Sequence, residues 1–310
     1  MTAVRNTADA IEIRGLKRSF GKKQALRGLN MTVPQGAIYG LIGENGSGKS
    51  TTQKAICGLI HPDAGSIKLY GQAHTQGRSG IGVLIEAPGC YPDCSVWNNM
   101  QLQAANLHIK NPDAEIRQVL QLVHMEGAAS NKYRNCSLGM KQRVGVAMAL
   151  LGSPRLLILD EPLNGLDADG MRILREVLTQ RAAAGCTVLI SSHILGELEK
   201  IATHYGIIRN GRMLAQMTAQ ELTARCRTYT ALQTADMEQA EAVLRRRYFR
   251  VERDESGFLR VYDPAAAEEI AVCLYQNGLT VRALESRRIS LEEYYIDLMN
   301  EKEAVQYAAS

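Results

Sequence analysis

Apolar positions in this chain follow two rhythms. Short, nearly unbroken runs recur at Ala37-Ile38-Tyr39-Gly40-Leu41-Ile42, Ile81-Gly82-Val83-Leu84-Ile85, Leu156-Leu157-Ile158-Leu159 and Thr187-Val188-Leu189-Ile190. Runs of this length, ended by glycine or by charged residues, predict strands buried on both faces. Alternation at Ile11–Arg14 and Leu29–Val33 predicts two further strands, and Ser66–Tyr70 another, entered through the turn His61-Pro62-Asp63-Ala64-Gly65. From Val96 to Leu151 the rhythm changes to helical spacing, as at Ile116, Val119, Leu120, Leu122 and Val123. That stretch predicts a helical insertion. Helices are also expected from the end of Gly43–Ser50 to about Leu59, and from Asp169 to Ala184.

Composition shifts near Thr218. Beyond it the pattern predicts strands at 228–232, 249–253, 258–262 and 279–284, with helices at 237–247 and 265–277 and a turn at Glu255-Ser256-Gly257. The order β-α-β-β-α-β is the ferredoxin-like arrangement. A helix over 291–300 would close the chain. The expected organisation is therefore an α/β domain over 1–217, with a helical subdomain at about 95–152, and a small α+β accessory domain over 218–310. No catalytic constellation shows in that tail, which leaves packing, dimerisation and regulation open.

The candidate chemistry centres on Gly43-Glu44-Asn45-Gly46-Ser47-Gly48-Lys49-Ser50, which follows the first buried run and leads into Thr51 and a helix. Glycines here let consecutive N–H groups turn toward phosphate oxygens, and the helix N-terminus adds its positive end. Lys49 would reach the β- and γ-phosphates of a nucleotide, and Ser50 would hold Mg²⁺. The bland alternative is a tight turn with a chance lysine. At the tip of the run 156–159 stand Asp160 and Glu161: the first suits Mg²⁺ through a water, the second suits general-base work on an attacking water.

Other signals are weaker alone. His193 follows a buried run, where open α/β sheets bind ligands. Glu86 ends another such run and is either a ligand-sensing carboxylate or a solvated strand end. Ser137 is placed to cap the helix after it. Phe20, among Lys17, Arg18 and Gly21, could stack on a nucleobase or be a half-buried loop aromatic.

Bulk composition narrows the class. With 45% apolar and 22% charged residues in 310, the chain is that of a globular protein. No apolar stretch is long enough to span a bilayer, and Met1–Asn6 open no signal-peptide run, which predicts a cytoplasmic location. Seven scattered cysteines fit reduced thiols. Cys90 and Cys94 lack the companions of a zinc site and read as two loop thiols. A net charge of +4 does not argue for nucleic acid.

Taken in order, these motifs resemble the ATP-binding subunits of ABC transporters over roughly residues 10–217. Gly43–Ser50 matches Walker A, Leu156–Glu161 matches Walker B with its catalytic glutamate, Leu163–Asp167 matches the D-loop, and His193 matches the switch histidine. The resemblance implies a P-loop NTPase fold with ATP and Mg²⁺ as ligands. It puts Phe20 in the adenine-stacking position, and Ser137 and Gly139 in the signature that caps a nucleotide held by a second copy. Two positions depart from the common pattern. The signature reads Cys136-Ser137-Leu138-Gly139-Met140, and Glu86 replaces the Q-loop glutamine, so it can still meet Mg²⁺ or its water but donates no amide N–H. Both departures, and the tail ending Ser290–Tyr295, resemble the bacitracin- and lantibiotic-resistance branch of exporters. The resemblance implies a homodimer on the inner face of the cell membrane, held there by a separate permease that meets the segment holding Pro88, Tyr91, Pro92 and Trp97. An exposed Trp97 would suit a docking surface, and a buried one is an equally ordinary reading. A soluble ATPase acting on DNA or ribosomes is the rival; the lack of a second cassette or a long coiled-coil insertion counts against it. A third reading makes the tail a ligand sensor.

Overall fold

The computed structural model of this chain describes residues 9–75, 80–225, 228–248, 250–254, 257–262, 267–296 and 298–299. It divides into two compact units between Ala219 and Gln220. In the first, β1 (Ile11–Phe20) and β2 (Lys23–Val33) form an antiparallel hairpin, joined by β4 (Ala64–Leu69) and the short β5 (Gln72–Ala73). The second sheet is built from β3 (Ile38–Ile42), β6 (Ile81–Leu84), β7 (Leu156–Asp160), β8 (Thr187–Ser191), β9 (His204–Arg209) and β10 (Arg212–Thr218). Its order is β10-β9-β3-β8-β7-β6, parallel except for the edge strand β10. β3, β7 and β8 are buried at every position, as strands covered on both faces must be.

β1 and β2 run well past the alternation that predicts them. Their inward residues are Ile11, Ile13 and Leu16 on one strand and Leu26, Leu29, Met31 and Val33 on the other. Register shifts on either side of Leu16 each insert an extra residue, so the period of two breaks although the strand continues. Phe20, expected in a connection, therefore ends β1 and faces Lys23 across the hairpin. The hairpin β9–β10 has no counterpart in the sequence reading. One apolar cluster joins both sheets, with Ile13, Leu29, Leu41, Ile56, Ile158 and Leu189 among its members.

Among the described residues, six α-helices accompany these strands within the first unit. They are α1 (Lys49–Ile56), α2 (Val96–Asn106), α3 (Pro112–Leu122), α4 (Leu138–Leu150), α5 (Ala168–Ala183) and α6 (Leu195–Glu199); α7 (Ala219–Arg225) lies at the division. α2 to α4 occupy the stretch where helical spacing dominates. A bridge between Ser95 and Lys132 closes the base of that stretch. The first residue of α3's helical turn is Pro112, whose missing N–H would be unpaired there anyway, and Asp113 and Glu115 complement the dipole.

The approach of α4 to β6 sets a steric condition. A Cβ on Gly82 would stand 1.9 Å from the carbonyl oxygen of Ala149 and 2.8 Å from Leu157 Cδ2. The first of these is backbone and cannot swing aside. Gly82→Ala is expected to destabilise the first unit by roughly 3 kcal/mol, read as a lower urea midpoint.

The second unit contains β11 (Thr228–Thr234), α8 (Met237–Arg247), β12 (Val251–Arg253), β13 (Leu259–Val261), α9 (Ala267–Gln276) and β14 (Val281–Arg288). The sheet is antiparallel in the order β12-β13-β11-β14. Leu232, Leu244, Leu259, Val261, Ile270 and Leu274 form its core. β14 begins later than expected and runs through Glu285 and Arg287, charges an edge strand tolerates. Residues 291–296 are helical. Expected features at Met1–Asn6, Cys226, Phe249, Glu255, Ser256, Ala265 and Asn300 lie outside the described residues. No helix among the described residues is long and apolar enough to cross a membrane.

Candidate active site

The carboxyl ends of β3, β7 and β8 lie side by side, so the polar residues that follow them converge. After Ile42 the chain turns through Gly43–Gly48 into α1. Gly46 and Gly48 adopt left-handed conformations, φ 79° and 115°, that side-chain-bearing residues rarely reach. Gly48 is the N-cap of α1 and supplies no side-chain bond, leaving first-turn N–H groups for an anion. Lys49 is only 5% exposed, and its ammonium donates to the carbonyl oxygens of Gly43 at 2.6 Å and Glu44 at 3.2 Å. The Ser47 hydroxyl is buried with no hydrogen-bond partner. An inward-held ammonium beside an orphaned hydroxyl and uncapped N–H groups fits phosphate oxygens. Ser50 and Thr51 are half-buried in the first turn of α1, while Glu44 and Asn45 are exposed on the loop.

Asp160 and Ser191 are register partners at the ends of β7 and β8. The Ser191 hydroxyl donates to Asp160 Oδ1 at 2.6 Å and accepts the Glu161 N–H at 2.9 Å. Glu161 itself takes a left-handed backbone, φ 50°, which swings its side chain away from the strand direction. Its Oε2 lies 2.8 Å from His193 Nδ1 and accepts the His193 N–H at 3.2 Å, and its Oε1 lies 3.8 Å from Lys49 Nζ. That Oε1 is buried without a hydrogen bond. Gln142 on α4 donates to the Glu161 carbonyl at 3.1 Å, and Gln53 on α1 donates to the Leu159 carbonyl at 3.2 Å. Lys49, Asp160, Glu161 and His193 are thus brought together. Ser191, Gln142 and Gln53 are the supports that motif reading passes over; the one signal for Ser191 was its place at the end of a buried run.

The outlying candidates fall in three places. Phe20 is 48% exposed, with the Arg18 guanidinium 4.9 Å from its ring centre. Asp63 fixes that guanidinium at 2.9 Å and accepts the Ser19 N–H at 2.7 Å. One ring face is covered by a tethered cation. Glu86 is exposed, in a left-handed conformation with φ 64°, and pairs with Lys54 on α1 at 2.5 Å. Lys54 stands one helical turn beyond Ser50. Ser137 caps α4 by accepting the Met140 N–H at 3.2 Å. Gly139 packs against the 163–167 loop, where a Cβ would sit 3.0 Å from the Gly165 carbonyl oxygen.

The loop between β6 and α2 is tied down by Asn99, which accepts the Tyr91 N–H at 2.7 Å and donates to the carbonyls of Tyr91 and Ser95 at 3.1 Å and 2.9 Å. Tyr91 is 64% exposed. Trp97, for which the sequence leaves exposed and buried readings both open, is half-buried in the first turn of α2, with Arg117 against its ring. Burial pushes the Cys90 thiol up to about 11, and that thiol lies 3.3 Å from the Met148 sulfur.

A phosphate loop after the central strand, two carboxylates after its neighbour but one, and a helical insertion between them define a P-loop ATPase of the ABC class. The ABC transporter family matches residues 26–164. Along 300 residues the chain is 35% identical to the bacitracin transport ATP-binding protein BcrA of Bacillus licheniformis, covering 93% of this chain and 97% of that protein. Over 207 residues it is 40% identical to the lantibiotic transport ATP-binding protein SrtF of Streptococcus pyogenes, covering 66% and 90%. Among solved structures, the ATP-binding subunit of an ABC transporter superposes with a TM-score of 0.63 at 30% identity, covering 70% of this chain and 92% of its own. The chain belongs to the ABC transporter ATP-binding proteins, and it is an ATPase of that family.

Proposed function

We propose that this chain is the energy-coupling subunit of an exporter for antimicrobial peptides or drugs. The observation that carries this reading is the span of the match to the bacitracin transport protein, which covers 93% of the chain and so extends past the first unit. The accessory unit from Gln220 onward would then be part of the same functional design rather than an unrelated appendage.

In this reading Lys49 and the loop amides hold the β- and γ-phosphates, and the exposed ring face of Phe20 takes the adenine. Ser50 and Asp160 hold Mg²⁺, with Glu86 able to reach it or its water on leaving Lys54. The magnesium ion, when bound, neutralises charge on the phosphate oxygens. Glu161 accepts a proton from the attacking water through its unpartnered oxygen, and His193 fixes the other oxygen while facing the γ-phosphate. One chain has a single phosphate loop and a single Ser137–Gly139 segment. Two copies would therefore form two sites, each closed by the other copy's signature. ATP closes the dimer and hydrolysis reopens it, driving a separate permease at the inner face of the membrane.

The test is affinity recovery of tagged Glu161→Gln protein from gently solubilised native membranes with ATP present. One multi-span membrane protein is the expected companion. Recovery of ribosomes or DNA with no membrane protein would replace the exporter with a soluble ATPase.

A further inference from the structure

The hairpin that carries Phe20 also brings a second cation to the phosphate loop. Lys23 opens β2 directly across from Phe20. Its ammonium lies 3.9 Å from the point where a Cβ would stand on Gly46, in the middle of the loop. Arg18, the other cation near the ring, is held by Asp63, whereas no ion pair engages Lys23 among the described residues.

Charge bookkeeping gives that position a consequence. Close to the expected phosphates stand one cation, Lys49, and two carboxylates, Asp160 and Glu161. Lys54 and Glu86 cancel one another. A magnesium ion at Ser50 and Asp160 would offset those carboxylates, so an added cation would act on the charge that remains on the polyphosphate itself. Lys23 approaches the loop at Gly46 from a two-stranded support, and its compact ammonium is a point charge suited to phosphate.

We propose that Lys23 is a second polyphosphate-binding cation of this site, acting across Gly46 from the hairpin that presents Phe20. The proposal rests on the nucleotide site described above. It differs from base stacking in what it senses: its contribution grows with the number of phosphates, while that of Phe20 does not.

Calorimetric titration of the full chain carrying Glu161→Gln, with ATP, ADP and AMP in magnesium buffer, tests it. Lys23→Met is expected to weaken ATP about tenfold, as for a lost charge-assisted contact, ADP by less, and AMP by less than about twofold. Lys23→Arg restores most of the affinity, and raising the salt narrows the gap between wild type and Lys23→Met. Unchanged ATP affinity in Lys23→Met, with Lys49→Ala still defective, overturns the proposal and leaves the site intact. Equal losses for all three nucleotides also overturn it, since Lys23 would then serve only the hairpin and its ring. Failure of the Glu161→Gln parent itself to bind ATP would instead remove the site on which the proposal rests.

Discussion

Glu161→Gln is expected to bind ATP and fail to turn it over, with steady-state hydrolysis lower by about 10²–10⁴, the usual worth of a positioned general base. The geometry isolates the change. Glu161 Oε2 accepts the His193 N–H at 3.2 Å, which an amide oxygen also does. The backbone bonds from Glu161 to Ser191 and from Gln142 to the Glu161 carbonyl do not involve the side chain. What is lost is the basicity of the buried, unpartnered Oε1. Removing one negative charge beside the incoming triphosphate also lowers repulsion, so ATP affinity holds or rises. With ATP bound and the water unactivated, the closed dimer should accumulate. Phosphate release measures the first effect and light scattering of the ATP-bound species the second. Turnover at the wild-type rate would take Glu161 out of the reaction.

The supports around Glu161 explain why a carboxylate at a strand end is useful here. Ser191 bridges two functions: its oxygen accepts the Glu161 N–H while its hydrogen goes to Asp160. The left-handed turn at Glu161 then separates two adjacent carboxylates, one held along the strand and one directed toward His193 and Lys49. Adjacent acids that shared one environment would compete for a proton. Placed apart, they can hold a cation and take a proton separately.

Much of this site was legible because its geometry is encoded locally. Gly43–Ser50 specifies its own turn, and the run 156–159 delivers Asp160 and Glu161 to the carboxyl end of the sheet whatever surrounds them. The fully apolar strands were legible for the same reason, since burial on both faces leaves no other reading. What escaped depends on pairing across the chain. The length of β1 and β2 was hidden by bulges beside Leu16 that break alternation. Ser191 acquires its role only from its register with Asp160, 31 residues away. The partner of Glu86 on α1 is 32 residues back, so Glu86 looked like either a ligand or a strand end until Lys54 was placed beside it. Trp97, beside a proline-rich loop, reads equally as exposed or buried in the sequence; it is half-buried in the first turn of a helix that Ser95 caps by accepting the Asn98 N–H at 3.0 Å.

Lys49→Ala should abolish useful nucleotide binding, with an expected affinity loss of about 10²–10³ for ATP. Truncating one member of a buried, hydrogen-bonded charge contact costs roughly 2–5 kcal/mol, and two effects add to it here. The carbonyls of Gly43 and Glu44 lose their donor at 2.6 Å and 3.2 Å, so the loop loses the contact that holds it round. Glu161 loses the cation that faces its Oε1 at 3.8 Å and then repels the triphosphate directly. Equilibrium titration with ATP reads the affinity, and a urea midpoint close to wild type shows that the fold survives. Lys49→Arg restores the charge but not the fit: its planar fork is too large for a side chain only 5% exposed between two carbonyls, so it should remain a weak binder. Wild-type affinity in Lys49→Ala would mean that the loop holds phosphate through backbone N–H groups alone. The ammonium would then act only on the bond being broken, and its loss would show in turnover rather than in binding.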